Sequence, residues 1–171
     1  MAASGGAHAA GPSPLTALVD AATVRLQTAD PVAAFKWLEG GDIDDPARVD
    51  QVLDAVTADA RTAGVDADYV RRLFTDQIDA TEAVEYTRFA QWKLDPAAAP
   101  KTAPDLSASR STIDGLNRTM VAEIASHWQA LLSSQCDADR DSAVTAVADA
   151  HRLDALYRQA LDFATRTYCR T

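Results

Sequence analysis

Five charged side chains stand where the periodicity of their neighbours asks for apolar ones. Along residues 74–92 an inward stripe runs Phe74, Ile78, Thr81, Glu85, Arg88 or Phe89, and Trp92, in steps of three and four that keep one helix face together. Thr81 and Glu85 interrupt it one turn apart. Arg25 follows Leu18 and Ala22 at the same kind of spacing, and Lys36 lies one turn after Val32. Arg48 lies one turn before Val52, and Arg110 three residues before Ile113 on a stripe that continues to Met120. Four cations and one carboxylate are thereby aimed at an interior where an unpaired charge is costly. Each taken singly reads most simply as a snorkelling chain or a local ion pair. Five of them on different helices are better accounted for by one shared polar cavity. A cavity walled by three arginines and a lysine, with one glutamate, suits an anionic ligand bearing about two carboxylates.

Plainer roles compete at several of these positions. Asp45 before Pro46 is a good N-cap, and that role alone would account for it. Thr81 would serve as core filler. Trp37, Trp92 and Trp128 read as core, and His8, His127 and His151 show no partner pattern. No Cys/His spacing suggests a metal site.

The elements that must position the charged set all read as helix. No sustained alternation marks a strand, and no Asn-Gly or Asp-Gly pair joins two alternating runs as a hairpin turn would. A first helix covers Leu15 to Gln27. Asp30-Pro31 looks like a cap followed by proline at the first helical position, opening a segment to Leu38 that Gly40-Gly41 stops. Asp45-Pro46 repeats that start for a helix ending near Gly64, and Asp66 opens the longest one, through Trp92 and Leu94 to Asp95-Pro96. Residues 95–106 form a Pro/Ala linker, after which Ser107 caps a helix carrying Ile113, Met120, Ile124, Trp128 and Leu131. Two further pieces follow Cys136, one to about Ala150 and one from Leu153 to Tyr168. The expectation is an all-α, single-domain bundle of about six helices around a long central one. Its catalytic helices would span about 15–132 and a C-terminal helical hairpin about 137–169.

The 171 residues are 47% hydrophobic and 24% charged, which suits one folded domain. A net charge of −9 argues against nonspecific binding to nucleic acid or an anionic membrane, yet leaves room for a dianion held by a buried arginine cluster. No apolar run reaches the length of a membrane helix. Residues 1–14 are small and proline-rich without a hydrophobic core, and read as a disordered stub from which a signal peptide has been removed. Cys136 and Cys169 stand at the ends of the last stretch of chain. They are two free buried thiols or a single disulfide, and their position at segment ends favours the bridge. Such a bridge closes a loop of about 34 residues, contributes roughly 3–4 kcal/mol on the chain-entropy model, and implies an oxidising compartment.

These residues resemble the AroQ-type chorismate mutases, in particular the secreted gamma subclass of actinobacteria. The carrying stretches are LVDAATVRL, ADPVAAFKW, DDPARVDQ, DQIDATEAVEYTRFAQWKL, PDLSASRS, and LDALYRQAL with the terminal YC. Together they run from about Leu15 to Cys169. The resemblance implies a cofactor-free rearrangement of chorismate to prephenate, secreted or periplasmic, in a homodimer whose sites each lie within one chain. It implies that Arg25 and Arg110 hold the substrate carboxylates and that Arg48 completes the cationic wall. Lys36 would donate to the ether oxygen, Asp45 would take the ring hydroxyl, and Thr81 would position a carboxylate or a water. Glu85 would face the ether oxygen from the other side, and must be protonated to donate there. Relatives can carry an amide one turn after the Arg48 position, where this chain has Val52 with Gln51 beside it. The rival readings are a non-catalytic exported binding protein on the same fold and a purely structural bundle. Neither accounts for an intact set from Arg25 to Arg110.

Overall fold

The computed structural model describes residues 11–170. Among them are eight α-helices and one short 3-10 turn. They are α1 (Thr16–Gln27), α2 (Ala29–Glu39), α3 (Pro46–Ala63), α4 (Ala67–Leu94), α5 (Leu106–Ser126), α6 (Trp128–Leu131), α7 (Cys136–Ala150) and α8 (Ala155–Thr165), with the 3-10 turn at Pro96–Ala98. The central 28-residue α4 packs along α2 and α3 on one side and α8 on another, while α1 is enclosed by α5, α7 and α8. Leu18, Leu26, Leu73, Phe74, Met120, Ile124 and Leu161 are fully buried where these helices meet.

Local chemistry explains most boundaries. Asp45 accepts from the Arg48 amide at 3.1 Å with Pro46 in the first turn, and Asp66 accepts from the amides of Asp68 and Tyr69. These caps satisfy donors that a helix start leaves orphaned. Gly40 and Gly64 close α2 and α3 at φ 76° and 74°, a left-handed conformation that a side chain would disfavour.

Other boundaries differ from the sequence expectation. Asp30 is not a cap. α2 begins at Ala29 after Thr28, whose αR backbone nearly fuses α1 to α2. Pro31 then falls in the first turn, where no intrahelical N–H bond is lost, and Asp30 accepts from Arg88 Nε at 2.6 Å. Asp105 rather than Ser107 caps α5, accepting from the Ser107 amide at 2.8 Å. That helix ends at Ser126, and Trp128 and Leu131 belong to the separate α6. Asp154 caps α8, so Leu153 precedes it. The tryptophans are half-buried instead of core. Trp37 meets Phe89 and Trp92 edge-on near the C-terminal ends of α2 and α4, and Trp128 packs edge-on against Tyr69.

Of the expected stub, residues 1–10 lie outside the described residues. Ser13 donates to the Asp139 carbonyl at 2.7 Å, tying the chain just before α1 to α7. Cys136, the first residue of α7, is disulfide-bonded to Cys169 beyond α8. Nearby, Tyr69 donates to the Tyr168 carbonyl at 2.6 Å.

Candidate active site

Five helices converge on an open cavity with about 610 Å³ of empty space, its mouth included. Its lining includes Arg25, Lys36, Asp45, Arg48, Thr81, Glu85 and Arg110, the whole set singled out from spacing and resemblance. Val32, Val49, Val52, Ile78, Leu106 and Ile113 supply the apolar part of the wall. Val52, at the position where relatives can carry an amide, is one of those apolar groups. Gln51 turns away from this cavity and accepts from Arg48 Nη1 at 2.8 Å.

Arg25 and Lys36 come from the last turns of α1 and α2, where helix dipoles favour cations. Arg25 is only 3% exposed. Its Nε donates to Asn117 Oδ1 at 2.6 Å and its Nη1 reaches Thr81 Oγ1 at 3.4 Å. Burial, and then the neighbouring Arg48, lower its pKa to about 10, so it remains a cation at neutral pH. Lys36 Nζ donates to the Ile43 carbonyl at 2.8 Å and to Glu85 Oε2 at 2.9 Å. Arg48 donates through Nη2 to Asp114 Oδ1 at 2.6 Å, and Arg110 to Asp45 Oδ2 at 2.7 Å. Asp45 therefore combines its capping role with an ion pair at the cavity wall.

Glu85 is the unusual acid. It is 3% exposed, and its one salt-bridge partner among the described residues is Lys36. Burial raises its pKa to about 7 against the opposing pull of Lys36, with Glu82 and Asp44 pushing it further up. A carboxyl group so placed can be a hydrogen-bond donor near neutrality. Glu82 also lines the cavity, and its pKa is raised by burial and by Asp44 and Asp79.

Asp114, Asn117 and Glu82 were not singled out from the sequence. Asn117 falls three residues before Met120 on the stripe that marked Arg110, so spacing carried a signal. Asp114 had only its four-residue offset from Arg110.

Fold and cavity together define a helical protein whose cavity, walled by cations and holding one protonatable acid, has the chemistry to accept a small dianion. A family model described as chorismate mutase type II matches residues 16–86. The secreted chorismate mutase of Mycolicibacterium smegmatis is 61% identical over 158 residues, 92% of this chain and 87% of that protein. The secreted chorismate mutase of Mycobacterium tuberculosis is 53% identical over 163 residues, 95% of this chain and 82% of that protein. Among solved structures, the chorismate mutase of Burkholderia phymatum superposes with a TM-score of 0.88 at 30% identity, over 93% of this chain and 98% of that one. The chain belongs to the chorismate mutase family, alongside its secreted mycobacterial members. No helix among the described residues is long and apolar enough to cross a membrane.

Proposed function

We propose that the cationic cavity is where this chain, a chorismate mutase, rearranges chorismate into prephenate. The reaction breaks a C–O bond and forms a C–C bond within one molecule, so no covalent intermediate is required of the protein. What it supplies is a compact substrate conformation and charge placed where charge develops. Arg25, Arg48 and Arg110 hold the two carboxylates. Lys36 Nζ donates to the ether oxygen as negative charge grows there, and protonated Glu85 donates to it from the other side. Asp45 takes the ring hydroxyl once Arg110 turns to the substrate, and Thr81 orients a carboxylate or a water. A rate enhancement at the low end of the enzymatic range asks about 8 kcal/mol of positioning and electrostatics together.

One observation carries this reading: seven residues from five helices, each marked in the sequence by spacing or resemblance, line a single cavity whose acid has a pKa of about 7. The test is an ultraviolet assay of chorismate disappearance on the wild type and on Lys36→Ala. Loss of turnover in the variant, with an unchanged circular dichroism spectrum, is expected. Wild-type turnover in Lys36→Ala would overturn the assignment. All seven residues come from one chain, which supports a complete site in each copy of a homodimer. Sedimentation velocity of the active enzyme tests the assembly, and a monomer would refute the dimer without touching the site.

A further inference from the structure

We propose that Asp114 and Asn117 are positioning residues that set the guanidinium groups of Arg48 and Arg25, so that one face of α5 governs all three arginines of the cavity. Positions 110, 114 and 117 follow one another at helical spacings of four and three, on a single stripe. Arg110 contributes its own guanidinium to the cavity. Asp114 Oδ1 accepts from Arg48 Nη2 at 2.6 Å, and Asn117 Oδ1 accepts from Arg25 Nε at 2.6 Å. Neither Asp114 nor Asn117 lines the substrate cavity. Both border a second hollow on the far side of Arg48, with Gln51 and Arg118. They therefore grip the arginines from behind.

A guanidinium has five N–H donors in a rigid fork. Arg25 commits Nε to Asn117, and its Nη2 has no partner among the described residues. Fixing one edge of the fork leaves the rest aimed at the ligand and removes the cost of ordering a long side chain during binding. The choice of acceptor follows solvation. The buried Arg25 has a neutral amide behind it, which leaves its charge for the substrate carboxylate. Arg48 lies nearer solvent, against an Asp114 side chain that is 44% exposed, where a carboxylate is screened and competes less.

The proposal rests on the cavity reading above, and a double-mutant cycle separates the two. The variants are Arg48→Ala, Asp114→Ala, Asp114→Asn and the Arg48→Ala/Asp114→Ala double, with kcat and KM measured on chorismate. Asp114→Ala should lower kcat/KM about tenfold, whereas Asp114→Asn, which keeps the acceptor oxygen, should stay within about threefold of wild type. In the Arg48→Ala background the second substitution should change nothing, because Asp114 acts through Arg48. On the other arm, Asn117→Leu should lower kcat/KM about tenfold. Asn117→Asp keeps the acceptor but neutralises Arg25, so it should raise KM while kcat stays within about threefold; it also serves if the leucine variant does not fold. An impaired Arg48→Ala with an unimpaired Asp114→Ala, or equal losses from Asp114→Ala in both backgrounds, would overturn the positioning role alone. A fully active Arg48→Ala would remove the cavity reading and this proposal with it.

Discussion

Helix α4 buries two carboxylates nine residues apart, and they are handled in opposite ways. Asp76, 4% exposed, faces the C-terminal part of the chain and accepts from Arg166 Nη2 at 2.6 Å and Thr167 Oγ1 at 2.7 Å. Glu85, equally buried, accepts from Lys36 and otherwise borders an open cavity. The first acid has both oxygens engaged at close range and locks the chain end onto α4. The second is left short of partners, and its pKa rises to about 7. The cavity end leaves its acid with a single lysine partner beside open space, while the C-terminal end holds both oxygens of Asp76 and adds a disulfide. One region is built for chemistry and the other for holding the scaffold that aims it.

The largest expected effect falls on the scaffold. Reducing Cys136–Cys169 should lower stability by about 3–4 kcal/mol on the chain-entropy account of its 34-residue loop. Turnover by the protein that stays folded should not change, since the cavity residues all precede Cys136. Thermal melts with and without reductant, paired with kcat/KM at 25 °C, test this. A loss of kcat/KM on reduction below the melting range would erase the division between the two regions.

Next come the cations. Arg48→Ala and Arg110→Ala should each lose about 2–3 kcal/mol of transition-state stabilisation, a fall of roughly 30- to 150-fold in kcat/KM. Their circular dichroism and melting temperature should stay close to wild type, because both side chains end at a solvent-connected cavity. A variant that melts early and keeps its turnover would move that arginine from the chemical region to the structural one.

Asp76→Ala should show the mirror image. It removes two hydrogen bonds of a buried acid, so about 1–3 kcal/mol of stability should go. The lower part of that range is favoured because Arg166 is half exposed and regains water. The kcat/KM of the folded variant should hold within about twofold. Denaturant titration and the chorismate assay on the same sample decide it.

This contrast was half legible in the sequence. The cavity end announced itself because Arg25, Lys36, Arg48, Thr81, Glu85 and Arg110 break apolar stripes, and a charge on an inward stripe is detectable from periodicity alone. Asp76 gave no such signal, since its partners Arg166 and Thr167 are some ninety residues away and lie past the end of α8. Asp114 escaped for a related reason, being half exposed and unremarkable beside Arg110. At Asp30-Pro31 a sound local signal was overridden by the near-fusion of α1 and α2, in which Asp30 serves Arg88 instead. The cysteine pair was legible by position, and the structure joins it.

The smallest expected effect at neutral pH is also the most specific, because it turns on one proton. In the proposed mechanism Glu85 acts as a donor, so only its protonated form is active. With a pKa of about 7 in the free protein, kcat/KM should be level below about pH 6. It should be near half its plateau at pH 7 and fall about tenfold per unit at higher pH, as an essential acid does. Stability has the same sign. The folded pKa exceeds the ordinary glutamate value of 4.5, so the folded state holds the extra proton. Its contribution is complete below about pH 4.5 and lost as pH rises through about 7. Glu85→Gln keeps a donor at every pH. Near pH 7 it should differ little from wild type, and at pH 9 it should exceed it, with a flat profile between. Glu85→Ala lacks the donor and should be poor throughout. A pH series of kcat/KM on the three proteins tests this. Parallel profiles for wild type and Glu85→Gln would mean that the proton on Glu85 is irrelevant. The acid would then belong with Asp76, as a group that holds the fold together.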